Sequence, residues 1–408
     1  MKLNQIIESL LSTDAYKFSM GQAIFHQFAT YKTTWAFKCR NKDVIFTPEM
    51  LKEIKEQVDA YCNLRFNEDE LSWLKKNLPW IKEDYIDFLR FWHPRREEIL
   101  INDIKTLSYC DDTCGLTIEA KGTWLNTSMY EIAILQIVNE VYFAFTYGAC
   151  AKDIEFQTKT IEKFTKIKNG EYDIGAFSEF GLRRRYSKDM QDWLIKFITD
   201  QKIPGFVGTS NVYLAKKYGV KATGTMAHEF IMCVGQGTHC WNPSYSNKFM
   251  LEAWVKEYGI ANGIALTDTI GTDSFLLDFN QTYATLFSGV RHDSADPIEW
   301  GEKMIAHYTK LGIHPTTKTL LFSDSLNFER ATNIKKHFEG RCKVAFGIGT
   351  YLSNPLDNPL NIVMKVTDCN GTPCAKISDI QGKSMCKDED YVKYLNRCIE
   401  WRLRHDKR

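Results

Sequence analysis

Gly289-Val290-Arg291-His292-Asp293-Ser294-Ala295-Asp296 is a short apolar stretch that ends in a cation, two carboxylates and a hydroxyl, and a helix-like segment, residues 297–311, follows directly. The same unit recurs. Apolar stretches closing on small or polar residues run over 205–211, 264–268, 320–324 and 344–350, with helical periodicity between several of them, over 248–258, 274–286 and 327–338. Strand and helix in alternation predict parallel strands wrapped by helices. A parallel barrel collects its reactive groups at the strand C-termini, where the loops converge, and an open doubly wound sheet uses the same ends. The polar residues of this half stand at those ends, so the expected fold is α/β, an irregular or incomplete (β/α) barrel over 151–360.

Outside that rhythm the chain mixes helices and strands. Residues 14–28 read as a capped helix, 35–40 alternate like a strand with Trp35, Phe37 and Cys39 on one face, and 68–78 and 83–92 read as scaffold helices parted by Pro79. The longest apolar region, 130–151, carries Glu131, Gln136, Asn139 and Glu140, which lipid would penalise, so a buried amphipathic helix is expected there. Residues 362–366, a turn at Asn370 and Gly371, and 375–377 read as a hairpin. The expected organisation is an α+β domain over 1–150, the barrel over 151–360, and a hairpin and helix over 361–408 that pack back on the N-terminal part.

Composition narrows the function classes. The 408 residues are 44% hydrophobic and 25% charged, and 52 basic against 51 acidic side chains leave a net charge of +1, which announces neither a nucleic-acid nor a membrane partner. Residues 1–16 lack a signal-peptide core. A cytoplasmic protein with free thiols is therefore expected from the twelve scattered cysteines. The loose pairs Cys110 and Cys114, Cys233 and Cys240, and Cys369 and Cys374 contain no C-x-x-C, so structural zinc is not expected.

Several short motifs carry chemistry. Arg291 offers a fork for a planar anion, and Asp293 beside it can accept from ribose hydroxyls or reach a divalent cation. Phe346 to Thr350 reads F-G-I-G-T, whose glycines permit close backbone approach to a phosphate. Gly382, Lys383 and Ser384 imitate a Walker A ending but lack its first glycine, Ile377 standing there, and no G-x-G-x-x-G opens a suitable helix. Phe180 precedes Arg183, Arg184 and Arg185, a flat aromatic beside guanidinium groups, and Thr209 and Ser210 add neutral donors. His228, in G-T-M-A-H-E, has no second histidine at zincin spacing. Base, structural donor and phosphoryl-accepting nucleophile stay open for it.

In chain order, T-D-A-Y-K from Thr13, F-K-C-R from Phe37, E-F-G-L-R-R-R from Glu179, G-T-S-N from Gly208, G-T-M-A-H-E from Gly224, R-H-D-S-A-D from Arg291, F-G-I-G-T from Phe346 and S-D-x-x-G-K from Ser378 resemble the nicotinate phosphoribosyltransferase family over nearly the whole chain. The resemblance implies a barrel of the type II phosphoribosyltransferase kind. It also implies an enzyme that makes nicotinate mononucleotide and pyrophosphate from nicotinate and 5-phosphoribosyl 1-diphosphate in NAD salvage. ATP hydrolysis would be coupled to turnover through transient phosphorylation of His228. By the same resemblance Tyr16 and Phe180 sandwich the pyridine, Arg183, Thr209, Ser210 and Arg291 serve nicotinate, and Arg40, Arg291, Asp293, Gly347, Gly349 and Thr350 serve the diphosphate sugar. Magnesium would travel on the diphosphate, with no dedicated protein ligands. A homodimer with shared sites is implied, Tyr16 and Arg40 arriving from a neighbouring subunit.

Two positions qualify that picture. Related nicotinamide-using enzymes carry aspartate where Ser210 stands; an aspartate accepts from an amide and repels a carboxylate, so serine favours the acid. Ala295 replaces the usual glycine of R-x-D-S-G-D, and a positive φ there costs roughly 1 kcal/mol or more. Nicotinamide- or quinolinate-using relatives and a weakened paralogue with a regulatory role are the rival readings.

Overall fold

A computed structural model describes residues 2–102, 115–148, 150, 152–237, 242–379, 386 and 388–406. Cys110, Cys114, Cys240 and the stretch 382–384 lie outside the described residues. The strands are β1 (Lys32–Cys39), β2 (Ile99–Asn102), β3 (Thr117–Thr123), β4 (Ala176–Glu179), β5 (Phe206–Thr209), β6 (Lys221–Ala222), β7 (Ile264–Leu266), β8 (Gly289–His292), β9 (Thr319–Phe322), β10 (Lys343–Ile348), β11 (Ile362–Cys369) and β12 (Thr372–Pro373).

Strands β4 to β10 form one curled sheet in the order β6-β5-β4-β10-β9-β8-β7, each neighbouring pair parallel. Strands β6 and β7 remain as its edges, so the barrel is incomplete, as the strand–helix rhythm predicts. The strands are short and their inward residues are apolar and buried: Val290, Leu320, Phe322, Phe346 and Ile348 anchor the sheet in the core. What lies beyond each strand end is polar, which places chemistry at one mouth of the sheet.

The second sheet, β12-β11-β1-β3-β2, is antiparallel and joins the two ends of the chain. Strand β1 pairs with β11 from Thr33 opposite Cys369 to Cys39 opposite Ile362, with a register shift between Thr34 and Trp35. Trp35, Phe37 and Cys39 are buried, as the alternation requires. The 362–377 hairpin differs from expectation in its second arm. Asn370 and Gly371 turn the chain with φ of 53° and 80°, but pairing stops at Thr372–Pro373. Residues 375–377 leave the sheet because other partners take their backbone: Ala375 N–H donates to Gln236 Oε1 (2.7 Å) and Ile377 N–H to the Thr269 carbonyl (2.8 Å).

Helix boundaries follow caps where caps compete with periodicity. The helix expected over 274–286 is two, Thr272–Asp278 and Gln281–Leu286, because the Asn280 side chain accepts from the N–H groups of Thr282 and Tyr283 and starts a new helix. The apolar 130–151 region holds the helix Tyr130–Tyr147, buried on nearly every side and ended by Gly148 at φ 91°. Among the described residues no helix is long and apolar enough to cross a membrane.

Candidate functional site

The loops at the C-terminal ends of β4, β5, β6, β8, β9 and β10 meet in one cavity of about 880 Å3, closed on its other side by the start of the helix Ala15–Gln27, Arg40 and the β11–β12 arm. Its lining includes eight lysine or arginine side chains against four aspartates, a positive bias suited to a polyanion. Ser210 Oγ, Thr223 Oγ1, Arg291 Nε and Ser378 Oγ are buried in this lining without a hydrogen-bond partner. Buried polar atoms are normally satisfied, so this set is what a polar ligand would complete.

The hexapeptide at the end of β8 divides its labour by strand alternation. Arg291 and Asp293 face the cavity, and Arg291 Nη1 donates to the Met226 carbonyl at 3.0 Å. His292 points the other way, buried against Trp300 and Phe322. Ser294 Oγ donates to Asp268 Oδ2 (2.5 Å), and Asp296 caps the helix Pro297–Lys310 by accepting from Ile298 and Glu299. Ala295 has φ 72°, the left-handed conformation that glycine adopts freely. Ala295→Gly is therefore expected to raise unfolding free energy by about 1 kcal/mol, the relief exceeding the entropy that glycine adds to the unfolded chain. Denaturant melts of the two proteins check it.

His228 opens the helix His228–Gln236 and sits in a charged knot. Its Nδ1 lies 2.9 Å from Thr269 Oγ1; its Nε2 lies 2.9 Å from Asp293 Oδ2 and 2.8 Å from Lys376 Nζ. Lys376 Nζ is also 3.0 Å from Asp268 Oδ2. Burial, and then the Lys376 ammonium, push the imidazole down to about 4, against the pull of Asp268 and Asp293. Burial opposes ionisation of Asp293, but the His228 hydrogen bond and the Arg291 and Lys376 charges outweigh it and hold that carboxyl well below its usual range. The ring is thus neutral at pH 7. With Nδ1–H given to Thr269, Nε2 presents a lone pair, which is a nucleophile; with Nε2–H given to Asp293, it is stored in the other tautomer.

The lowered imidazole has a signed consequence. Between its ordinary value of 6.5 and about 4, the unfolded chain takes up a proton that the folded chain refuses, so stability falls as pH drops through that window. His228→Asn is expected to flatten this part of the pH–stability curve, measured by denaturant melts from pH 7 to pH 4.5.

His228, Asp268 and Asp293 bring one nitrogen and two carboxylate oxygens close enough to hold a cation. The Lys376 ammonium lies among all three, 3.8 Å from Asp293, and supplies the positive charge itself.

Tyr16, Phe180, Arg183 and Ser210 also line the cavity. Phe180 is held from behind by a missing side chain: a Cβ on Gly347 would lie 2.3 Å from its ring. Gly347 therefore makes room for the aromatic, while Gly349 and Thr350 line the cavity. Thr209 is fully buried and commits its hydroxyl to Glu179 Oε2 (2.7 Å); Gly181 N–H and Gln191 also bind that carboxyl, which burial pushes up to about 7. Thr209 thus braces the F-G-L turn rather than facing the cavity. Ser210 adjoins a carboxyl that the sequence reading did not weigh, Asp14, whose pKa burial raises against the lowering effect of Ser210 and Arg183.

Tyr16 and Arg40 line the same cavity as Phe180 from the same chain, because Ala15 N–H donates to the Ser210 carbonyl (2.8 Å) and Arg40 N–H to that of Asn361 (2.9 Å). The sequence reading missed Lys365 and Lys376, both in the cavity wall. The available signal was a lysine inside the apolar strand 362–366 and a second just beyond the turn of the expected hairpin.

A model described as the nicotinate phosphoribosyltransferase (NAPRTase) family matches residues 176–401, and its N-terminal domain model matches 11–139. A nicotinate phosphoribosyltransferase of Chromobacterium violaceum is 40% identical over 407 residues, covering 98% of both chains. One from Cupriavidus necator is 41% identical, over 96% of this chain and 98% of the relative. Crystal structures of the nicotinate phosphoribosyltransferases of Porphyromonas gingivalis and Vibrio cholerae superpose with TM-scores of 0.87 and 0.89. They are 32% and 33% identical, over 96% and 98% of this chain and 100% and 95% of theirs.

Proposed function

The chain belongs to the nicotinate phosphoribosyltransferase family and is a pentosyltransferase, and from that premise we propose how its residues divide the reaction and that ATP drives it through His228. The enzyme forms nicotinate mononucleotide and pyrophosphate from nicotinate and 5-phosphoribosyl 1-diphosphate, a salvage step toward NAD. One observation carries the assignment of roles: Tyr16, Phe180, Ser210, His228, Arg291 and Thr350, far apart in sequence, open into a single cation-rich cavity.

The pyridine stacks between Phe180 and Tyr16, with its carboxylate toward Ser210 and Arg183. Gly349 and Thr350 take the ribose 5-phosphate, and Asp293 accepts from the ribose. Arg40, Arg291 and Lys376 neutralise the diphosphate. The C1–oxygen bond breaks as pyrophosphate leaves, the sugar passes through an oxocarbenium-like centre, and the pyridine nitrogen forms the new C1–nitrogen bond. No protein nucleophile takes part in that step; positioning and charge neutralisation supply the rate. Magnesium fits as a passenger on the diphosphate, with Asp293 and Asp324 as the carboxylates that would meet it and its charge assisting the leaving group.

ATP acts at His228. The Nε2 lone pair attacks the γ-phosphorus, the phosphorus–oxygen bond to ADP breaks, and water later removes the phosphoryl group. A phosphoryl charge favours a closed, tight-binding state only by interacting differently with two states, and Arg291, Arg183 and Lys376, among the cations of the cavity, make that difference. We assign the enzyme to the cytoplasm, where free thiols such as Cys233, Cys369 and Cys374 persist. A homodimer, if formed, is not what completes the site: turnover per chain is expected to be constant on dilution across any self-association, and a loss that tracks dissociation contradicts this.

The functional test is incubation of labelled nicotinate with the diphosphate sugar and magnesium, with and without ATP. Labelled mononucleotide, increased by ATP, is expected; product without any effect of ATP removes the role given to His228.

A further inference from the structure

Behind the cavity wall lies an ion cluster that the reaction as described does not use. Lys17 is wholly buried, and its ammonium pairs with Glu131 at 2.8 Å and with Glu229 in a short contact. Glu229 also accepts from Ser128 Oγ and, at 3.4 Å, from Trp124 Nε1. Glu131 in turn reaches Arg183 Nη1 at 3.8 Å. Burial raises the Glu229 pKa against the pull of the Lys17 ammonium, while Glu131 stands between two cations, Lys17 in the interior and Arg183 on the cavity side.

The placement is specific. Lys17 follows Tyr16 in the first turn of the helix Ala15–Gln27, and Glu229 follows His228 in the first turn of the helix His228–Gln236. Successive helical residues point about 100° apart. In both helices one residue therefore faces the cavity and its neighbour is pinned in the cluster. The two pinned residues grip each other, so the starts of both helices are tied together directly behind the pyridine-stacking tyrosine and the reactive histidine. The Glu131–Arg183 contact is the loosest in the chain: it exceeds hydrogen-bond length, and the Arg183 side chain stays 44% accessible. A substrate anion competes with Glu131 for that guanidinium.

We propose that Lys17 is a positioning residue that couples the phosphoryl state of His228 to the substrate end of the cavity, through Glu229 on one side and Glu131 with Arg183 on the other. This rests on the reading of His228 as the ATP-phosphorylated residue. A buried pair transmits displacement because it cannot relax into water: moving the start of one helix drags the other or leaves a charge unpaired. Phosphorylation that shifts the first turn at His228 thereby shifts Tyr16 and releases Arg183 to the diphosphate or the nicotinate carboxylate.

The test uses full-length wild type, Lys17→Met and Lys17→Arg, confirmed folded by melting. Two readouts are taken: acid-labile phosphate from γ-labelled ATP, and KM for the diphosphate sugar with and without ATP. Lys17→Met is expected to accept label as wild type does but to lose at least tenfold of the ATP-dependent change in KM, with Lys17→Arg restoring most of it. A labelled Lys17→Met whose ATP-dependent change equals that of wild type overturns the coupling role. An unlabelled wild type overturns the His228 reading and this inference with it. If Lys17→Met does not fold, Lys17→Met combined with Glu229→Gln removes a cation and an anion together, and the same two outcomes apply.

Discussion

Replacing His228 by alanine is expected to abolish acid-labile phosphate incorporation from γ-labelled ATP and to reduce the effect of ATP on the KM for 5-phosphoribosyl 1-diphosphate to nothing. The protein should still fold. The imidazole is neutral in its pocket, because burial and the Lys376 ammonium suppress its charge, so its removal leaves the net charge of the Asp268, Lys376 and Asp293 group unchanged. What disappears is the Nε2 lone pair, and neither Thr269 nor Asp293 offers an equivalent nucleophile at that position. Coupling free energies of this kind are typically about 1–3 kcal/mol, or roughly 5–150-fold in affinity, so ATP-stimulated turnover should fall to about the ATP-free rate. Equal ATP responses in wild type and His228→Ala, with label elsewhere, would assign the phosphoryl group to another residue.

Ser210→Asp is expected to lower kcat/KM for nicotinate by roughly 100-fold or more while leaving nicotinamide much less affected, since like charges placed together in a binding site cost several kcal/mol. The structure sharpens the reason. Ser210 is buried beside Asp14, whose carboxyl burial drives toward its protonated form against the lowering effect of Ser210 and Arg183. A second carboxylate there would face both the substrate's charge and Asp14. The discrimination between acid and amide therefore depends on a pair of positions, Asp14 as well as Ser210, and kinetics of Ser210→Asp with the two pyridines in parallel reads it. An undiminished rate with nicotinate would place the carboxylate elsewhere in the cavity.

Five of the seven parallel strands were legible because each is a short run closed by polar residues, whereas β4 (Ala176–Glu179) and the two-residue β6 (Lys221–Ala222) are too short to show that pattern and were not read. The strand at 289–292 with its polar end and the helix after it illustrate this, and Asp296 even announces the cap. The hidden parts depend on tertiary partners. The Asn280 cap splits a periodic segment, Gln236 and Thr269 pull residues 375–377 out of a hairpin, and that displacement delivers Lys376 to His228. Thr209 shows the same limit in the site: G-T-S-N supplies two hydroxyls, but only the fold reveals that one is spent on Glu179. The motif left open whether the turn after β8 stays left-handed with alanine at position 295; Ala295 does take that conformation, with φ 72°. The origin of Tyr16 and Arg40 in the same chain could not be read from motifs, which carry no information about which copy supplies them.

The most direct measurement is a structure of the enzyme with nicotinate mononucleotide bound. The expected result is a pyridine ring between Phe180 and the Tyr16 of the same chain, its carboxylate at Ser210 and Arg183, and the 5-phosphate at Gly349 and Thr350. A product ring lying away from Phe180, or sandwiched by a tyrosine from another copy, would contradict a site built by one chain.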